Sequence, residues 1–208
     1  MLRNQHQEQL LMTRKILLSC FLILSITVSL RAMKIQGIII NRNDTSSVTF
    51  NIPTNARQSE PNFQNMQRSI KYYDINGKKK TLKPKDAEEV QFIMNNKLIR
   101  ILSRKMNFNT NNRSFLDSVM FLKLEEDGYL KLFSFHLLDM NNMNSNKRYL
   151  LQKGTDELKW VNNVRIKKDL IEYLSECSSV VEMITEYNFF LKGLNPIVSH
   201  YNTNCRKE

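Results

Sequence analysis

Residues 118–138, SVMFLKLEEDGYLKLFSFHLL, are rich in apolar side chains on both sides of Asp127-Gly128. An Asp-Gly pair between two such strand-like segments predicts a β-hairpin closed by a type I′ turn. Because apolar side chains occur on both faces, we expect this hairpin to be covered on both sides and to lie at the centre of an antiparallel sheet. One face would carry Met120, Leu122, Leu124, Phe133 and Phe135, and the other Val119, Phe121, Leu130 and Leu132.

The length of this turn fixes which residues face each other. A two-residue loop places Leu122 opposite Phe133. A three-residue loop would oppose Lys123 to Lys131, a like-charge pair that costs stability. The sequence therefore favours the two-residue loop. The acidic tip of the hairpin, Glu125-Glu126-Asp127, is typical of a solvated turn rather than of an acid/base pair.

Four further segments show hairpin signals, three before the central hairpin and one after it. In the second of them, a two-residue loop at Asn76-Gly77 places Asp74 opposite Lys79, a favourable opposite-charge pair. The segments between hairpins are rich in Asn or Pro and are typical of loops. The hairpins cover residues 34–52, 69–82, 90–102 and 148–161, and the loops cover residues 53–67, 106–113 and 139–146.

After Val161 the apolar period changes to that of a helix, beginning with Ile166, Leu170 and Leu174. Ser179 with Glu182 forms a capping-box pattern, Gly193 suits a helix C-terminus, and Asn195-Pro196 suits the start of a last helix. The sequence thus predicts an α+β fold, in which antiparallel hairpins form a curved sheet or partial barrel, followed by a small C-terminal helical part. The expected organisation is a signal peptide over 1–32, a β region over 33–162 and a helical subdomain packed on the sheet over 163–208.

The N-terminus has the three parts of a secretory signal peptide: a basic start, an apolar run over Ile16–Leu30, and small residues at its end. Cleavage near residues 29–32 would follow. An uncleaved membrane anchor is the alternative, although the run is shorter than the roughly 20 residues that a spanning helix needs. Export to the periplasm or the membrane-associated envelope is the expected localisation.

Removal of residues 1–32 leaves 27 basic and 19 acidic side chains, a net charge of +8. A basic cytosolic protein would suggest nucleic acid as a partner. A basic exported protein more often meets an anionic envelope component or a membrane surface. Export therefore makes nucleic acid an improbable partner, and a lysine-rich solvated surface remains the simplest interpretation.

The sharpest electrostatic feature is a run of five lysines at the end of the second hairpin. As a ligand-binding site, this basic patch would attract anions or a membrane surface. As a structural feature, it would be the charged side of an edge strand, where lysines discourage edge-to-edge aggregation. The five residues are Lys78, Lys79, Lys80, Lys83 and Lys85.

Cys177 and Cys205 remain after export, and an oxidising compartment favours a disulfide between them. Two free thiols, or a nucleophilic pair of Cys177 with His200, are the alternatives. The sequence has no closely spaced His, Cys or acidic set typical of a metal site, and no glycine-rich nucleotide loop or nucleophile elbow. We therefore predict no catalytic residues, no metal and no cofactor.

Several short motifs follow one another along the chain, and the first are Gly37-Ile38-Ile39-Ile40, which ends a strand, and the turn Asn41–Thr45 after it. In these motifs the chain resembles a loose group of uncharacterised exported proteins common in Bacteroidetes. The resemblance implies a bacterial lineage and an exported location, but no activity. Its other positions are Tyr73, Gly77, Leu82, Pro84 and Asp86, the F-x-x-x-L-x-x-G-x-L-x-L-F type of hairpin, Cys177, and Tyr201-Asn202.

The sequence therefore favours an exported envelope protein with a non-catalytic binding or structural role. The alternative is an envelope hydrolase whose site is assembled from residues distant in sequence. A deep pocket with several polar side chains would favour the enzyme, and a lysine-rimmed surface would favour binding.

Overall fold

The computed structural model describes residues 32–54, 60–107, 109–110, 113–114, 118–138, 145–162, 164–186 and 193–205. The predicted signal peptide lies outside the described residues except for Ala32, where the first strand begins. No helix in the described part is long and apolar enough to cross a membrane. The strands are β1 (Ala32–Asn41), β2 (Asp44–Pro53), β3 (Ile70–Tyr73), β4 (Lys79–Leu82), β5 (Glu89–Met94), β6 (Lys97–Met106), β7 (Asn109–Thr110), β8 (Arg113–Ser114), β9 (Ser118–Glu126), β10 (Leu130–Leu138), β11 (Ser145–Lys153) and β12 (Lys159–Trp160). The helices are α1 (Phe63–Met66), α2 (Ile166–Tyr173), α3 (Ser178–Glu186) and α4 (Asn195–Asn204).

Ten strands form one open antiparallel sheet in the order β12-β11-β10-β9-β6-β5-β1-β2-β3-β4. Most neighbours are consecutive in the chain because each tight turn returns the strand beside its predecessor. The turn at Asn95-Asn96 shows this directly, since both residues have the positive φ of a type I′ turn and Met94 faces Lys97. In the described part of the chain three helices follow the sheet, and the predicted α+β fold with a curved sheet is confirmed.

The central hairpin β9–β10 has a different register from the predicted one. Three residues separate the strands, and Phe133 faces Leu124 instead of Leu122. A ladder irregularity between Leu132 and Phe133 brings Ser134 opposite Lys123, so the expected clash of Lys123 with Lys131 does not arise. The observed register differs from the prediction by two residues, and side chains alternate with a period of two, so the two predicted faces are preserved.

Both faces of the central hairpin are buried, as predicted, except at Val119, which is 41% exposed. Phe121 and Leu122 are neighbours on β9, point to opposite faces, and are both almost fully buried. Phe121 belongs to a core over β1, β2 and β5, Leu122 to a core with β6 and β11, and Leu130 and Leu132 to a third core beneath the C-terminal helices. The helical part therefore packs on the sheet through β10 and β11.

The second hairpin corrects another predicted register. Five residues connect β3 to β4, so Tyr73 faces Lys79 and the predicted pairing of Asp74 with Lys79 is wrong. The Asp74 carboxylate accepts hydrogen bonds from the backbone N–H groups of Asn76 and Lys78, at 3.0 and 2.9 Å. Aspartate commonly caps a turn in this way, which lengthens the connection beyond the two residues of a type I′ loop.

Two of the predicted loops contain regular structure. Residues 53–67 include α1, whose first turn is capped by the Asn62 side chain, and residues 106–113 include β7 and the start of β8. Most of the loop predicted over 139–146 lies outside the described residues. A short 3-10 turn at Pro84–Asp86 follows β4.

The helical part agrees with the predicted elements but not with every cap. α3 begins at Ser178, one residue ahead of the Ser179 cap. α4 has Leu194 at its N-cap, so the predicted Asn195 cap is wrong. The Asn195 side chain instead donates to the backbone oxygen of Glu125 at 3.3 Å, which ties α4 to the central hairpin.

Candidate functional site

The lysine run lies at the edge of the ten-stranded sheet. β4 is the last strand in the order, and it carries Lys79 and Lys80 with exposed side chains. Lys78, Lys83 and Lys85 flank β4 and are exposed as well. The structure thus brings all five lysines to one edge, and this set of residues is called the lysine edge below.

One of the five lysines forms an ion pair with a carboxylate. The Lys80 ammonium group lies 2.8 Å from the Asp74 carboxylate. The hydrogen bond between them lowers the pKa of Asp74 and raises the pKa of Lys80. Among the described residues, Lys80 is the one member of the lysine edge that forms a salt bridge, so four ammonium groups at this edge face solvent without a carboxylate partner.

The 3-10 turn after β4 is fixed against the sheet. Pro84 is buried, and its backbone oxygen accepts a 2.5 Å hydrogen bond from the Ser103 hydroxyl of β6. Lys83 and Lys85 flank this anchored proline and are both exposed. The contact with β6 therefore fixes the backbone of this turn just beyond the end of β4.

Glu125 is not in a solvated turn, which corrects the sequence interpretation of the acidic tip. Its side chain is 12% exposed, and its carboxylate oxygens lie 2.7 Å from the ammonium group of Lys123 and 2.6 Å from that of Lys147. The Ser134 hydroxyl donates a further 2.7 Å hydrogen bond. Burial alone would raise the pKa of Glu125, but the two lysines outweigh it and hold the pKa below its usual range. A carboxylate held ionised in this way is poorly suited to act as a general acid.

Asp127 also has a partner, because Arg100 of β6 forms an ion pair with it and a second ion pair with Glu89 at 2.6 Å. The Arg100 guanidinium lowers the pKa of Asp127 against the raising effect of burial. The tip of the central hairpin is therefore held to β5 and β6 by charge. Sequence reasoning missed these partners because they lie 27 and 38 positions from Asp127 in the chain and no local pattern marks them.

Glu125, Lys123 and Lys147 are called the Glu125 cluster below. His136 lies beside this cluster, at the point where the pairing of β9 with β10 ends. Its ring stacks on Phe63 of α1, with ring centroids 6.4 Å apart. The Gln67 side chain accepts from the His136 backbone N–H and donates to its backbone oxygen at 3.0 Å, while the Gln67 backbone oxygen accepts from Phe121 N–H. Gln67 thus occupies the place of a strand partner between β9 and β10. Burial and the Lys147 charge lower the pKa of His136.

Cys177 and Cys205 form the disulfide that the sequence favoured, with their Cα atoms 5.5 Å apart. The alternative pairing of Cys177 with His200 as a nucleophile is therefore wrong in this structure. His200 Nε2 lies 3.1 Å from the Ser179 hydroxyl instead. This contact connects α3 with α4 beside the disulfide.

No group of three or more metal-ligating side chains occurs among the residues that the structure describes. The comparisons with known proteins add no assignment: no protein-family model matches the chain, and no curated protein or solved structure matches it. The lysine edge remains the candidate site that sequence and geometry share.

Proposed function

We propose that this chain is an exported protein of the bacterial envelope that binds phosphate-bearing headgroups of a membrane surface through the lysine edge, without catalysis. One observation carries the proposal: among the described residues, four ammonium groups at β4 and the turn after it have no carboxylate partner. Basic side chains near an anionic leaflet contribute about 1 kcal/mol each at low ionic strength. Four of them suffice for reversible association.

Protection of β4 against pairing with another sheet explains only some of the lysines in the lysine edge. Lysines within an edge strand block pairing with another sheet, and this accounts for Lys79 and Lys80. Lys83 and Lys85 lie beyond the end of β4, where no ladder needs protection. The anchored turn fixes their backbone just beyond the end of β4, which favours a role in attracting anions.

Vesicle binding tests this proposal. The mature chain should co-sediment with vesicles of phosphatidylglycerol and phosphatidylcholine but not with phosphatidylcholine alone, and 0.5 M NaCl should release it, because the Debye length then falls to about 4–5 Å. A variant with Lys78, Lys79 and Lys83 replaced by Gln should lose most of this binding.

The matched control changes the same amount of charge elsewhere. Replacement of three exposed lysines on other parts of the surface by Gln should leave vesicle binding close to that of the parent chain. Equal losses in the two variants would show that net charge alone, and not the lysine edge, attracts the membrane, and would overturn the proposal. The control residues are Lys97, Lys159 and Lys168.

The proposed export is tested separately by the intact mass of the protein from fractions of its native host, with and without reductant. We expect a chain that starts at Leu30 or Met33 in the envelope fraction. A full-length mass in the membrane fraction would make Ile16–Leu30 an anchor, and a full-length mass in the cytosol would contradict export.

A further inference from the structure

Strand β2 is paired along its whole length on one side and over three residues on the other. All ten residues of β2, Asp44–Pro53, face β1. On the opposite side, β3 pairs with Thr49, Phe50 and Asn51 only. No strand in the described part of the chain pairs with the outer side of residues 44–48.

The hairpin geometry shows which backbone groups this open side presents. Two residues connect β1 to β2, and the pair that flanks such a turn, Asn41 with Asp44, exchanges hydrogen bonds. Hydrogen-bonded and non-hydrogen-bonded pairs then alternate, so Thr45 and Ser47 direct their N–H and C=O groups away from β1. The next residue of this set, Thr49, is the one that β3 already pairs with Tyr73.

A space continues the position of β3 along this open edge. β3 ends at Tyr73, and the chain then turns at Asp74 with Ile75 90% exposed. Two clefts meet here, of about 570 and 670 Å³, and Ser47, Val48, Asp74 and Ile75 line both of them. The edge of β2 is therefore accessible from both faces of the sheet.

The two clefts are lined differently, in a way that suits alternating side chains. The smaller one contains Ile38, Ile93 and Leu98, of which Ile93 and Leu98 are 64% and 57% exposed. The larger one contains Ile39, Tyr72 and Leu82, and Lys80 also lines it. A strand laid along the open edge would send successive side chains into one cleft and then the other.

We propose that the open edge of β2 at residues 44–48 binds an extended peptide segment by β-strand addition. The backbone of the peptide exchanges hydrogen bonds with Thr45 and Ser47 and continues the position of β3. Apolar side chains of the peptide enter the two clefts on alternate sides. This is a second binding surface with a different ligand from the lysine edge, and it does not depend on membrane binding.

The unpaired backbone favours a peptide over a small apolar ligand. A ligand without backbone amides would leave the outward groups of Thr45 and Ser47 unpaired in a partly desolvated cleft, which is unfavourable. An extended peptide satisfies them, and its side-chain period of two matches the placement of the clefts on opposite faces.

The probe is a blocked seven-residue peptide of alternating valine and threonine with a glutamate at each end. In the free mature chain, hydrogen exchange should be fast at the amides of Thr45 and Ser47 and slow at Ser46, which donates to β1. Saturating peptide should slow exchange at Thr45 and Ser47 and leave Ser46 unchanged. Unchanged exchange at Thr45 and Ser47 with millimolar peptide would overturn the proposal.

Two peptide analogues test the backbone ladder without altering the protein. One analogue carries N-methyl groups on its odd residues and the other on its even residues. Each analogue therefore lacks the backbone N–H donors along one edge of the peptide strand. We expect one series to bind at least about tenfold more weakly and the other to bind as the parent peptide does. Equal binding of both series, or equal loss in both, would contradict a ladder along one edge.

Protein variants give the complementary test. Ser47→Pro removes the outward N–H and spares the ladder with β1, so peptide binding should fall by about tenfold or more. Ser47→Ala keeps that N–H and should bind as the parent chain does. If Ser47→Pro proves unfolded, the methylated peptides decide. Self-association of the chain that the peptide fails to displace would also overturn the proposal, since the edge would then pair with a second copy.

Discussion

The two ends of the sheet are built differently. At one end, β10 and β11 lie under α2, α3 and α4, and the third core joins sheet and helices with almost fully buried apolar side chains. At the other end, β4 pairs on one side only, half of β2 lacks an outer partner, and the lysine edge is exposed. Both ends contain a buried apolar core, but three C-terminal helices cover the sheet at the first end, while the open end presents strand edges and turns.

Polar groups at the helical end have specific partners. The Asn202 side chain of α4 accepts from Leu130 N–H and donates to Leu130 C=O, both at 2.8 Å. The ammonium group of Lys153 lies 2.5 Å from the Glu176 carboxylate, which also accepts from the Tyr201 hydroxyl at 2.6 Å. The two ends therefore differ in what covers the sheet, and at the open end the outer side of residues 44–48 is left without a strand partner among the described residues.

Of the changes proposed below, loss of the disulfide at the helical end should lower the free energy of unfolding the most. Cys177 and Cys205 are 28 positions apart and join the start of α3 to the end of α4. Replacement of both by Ser should lower the free energy of unfolding by about 3 kcal/mol, in the chain-entropy account of cross-links. Urea unfolding of the oxidised parent and of the variant measures it. Reductant should lower the stability of the parent and leave that of the variant unchanged; an unaffected parent would contradict the prediction.

Gln67 lies between the two ends of the sheet. Its replacement should cause the second-largest decrease in the free energy of unfolding. Gln67→Leu leaves the His136 backbone N–H and C=O without the carboxamide that bonds both, so we expect a loss of about 2 kcal/mol. Gln91→Leu is the control, because the Gln91 amide donates to the side chain of Glu89 and not to a ladder position. Equal urea midpoints for the two variants would show that Gln67 does not replace a strand partner.

The sequence predicted the elements of this sheet better than their register. Asn95-Asn96 adopts the positive φ angles that a two-residue turn needs, and the turn occurs as predicted. At Asn76-Gly77 and Asp127-Gly128 the same local rule predicted loops that are too short. In the first loop the Asp74 carboxylate accepts hydrogen bonds from two backbone N–H groups. In the second loop Arg100 forms an ion pair with Asp127. Interactions outside the dipeptide decided the loop length.

The lysine edge could be predicted because it is contiguous in the chain, and its place at a sheet edge agrees with the structural expectation. The open edge of β2 could not be predicted, since it arises where β3 stops pairing at Thr49. β3 stops pairing there because the chain turns at Asp74. The register predicted for this turn was wrong. The Glu125 cluster was missed for the same reason: Lys147 is remote in sequence and becomes a neighbour only through the pairing of β10 with β11.

Asn202 tests how α4 is attached at the helical end. Asn202→Ala removes the amide that bonds Leu130 N–H and C=O, and the fully buried position of Leu130 prevents ready access of water. We expect a loss of about 1–2 kcal/mol in urea unfolding. Asn204→Ala in the same helix is the control, because the Asn204 amide donates to His200 and is exposed. A loss for Asn204→Ala as large as that for Asn202→Ala would attribute the effect to helix propensity.

The Glu125 cluster should make the stability of the sheet dependent on pH. The two lysines lower the folded pKa of Glu125, so its contribution is present above the unfolded pKa of roughly 4.3 and is lost as the pH falls through the folded value. Glu125→Gln should therefore cost about 1 kcal/mol at pH 7 and progressively less below pH 4. Urea midpoints between pH 3 and 7 measure this, with the exposed Glu172→Gln as control. A cost for Glu125→Gln that stays constant with pH would contradict the ion-pair interpretation.

The smallest effect is expected at the open end of the sheet. Lys80→Gln breaks the ion pair with Asp74, but the lysine is half exposed and such pairs contribute little to folding. The urea midpoint should therefore stay within the error of measurement, while Asp74→Ala should lower it detectably because Asp74 also accepts from two backbone N–H groups of the turn. A large loss for Lys80→Gln would show that the ion pair with Asp74, and not the backbone of the turn, fixes this edge of the sheet.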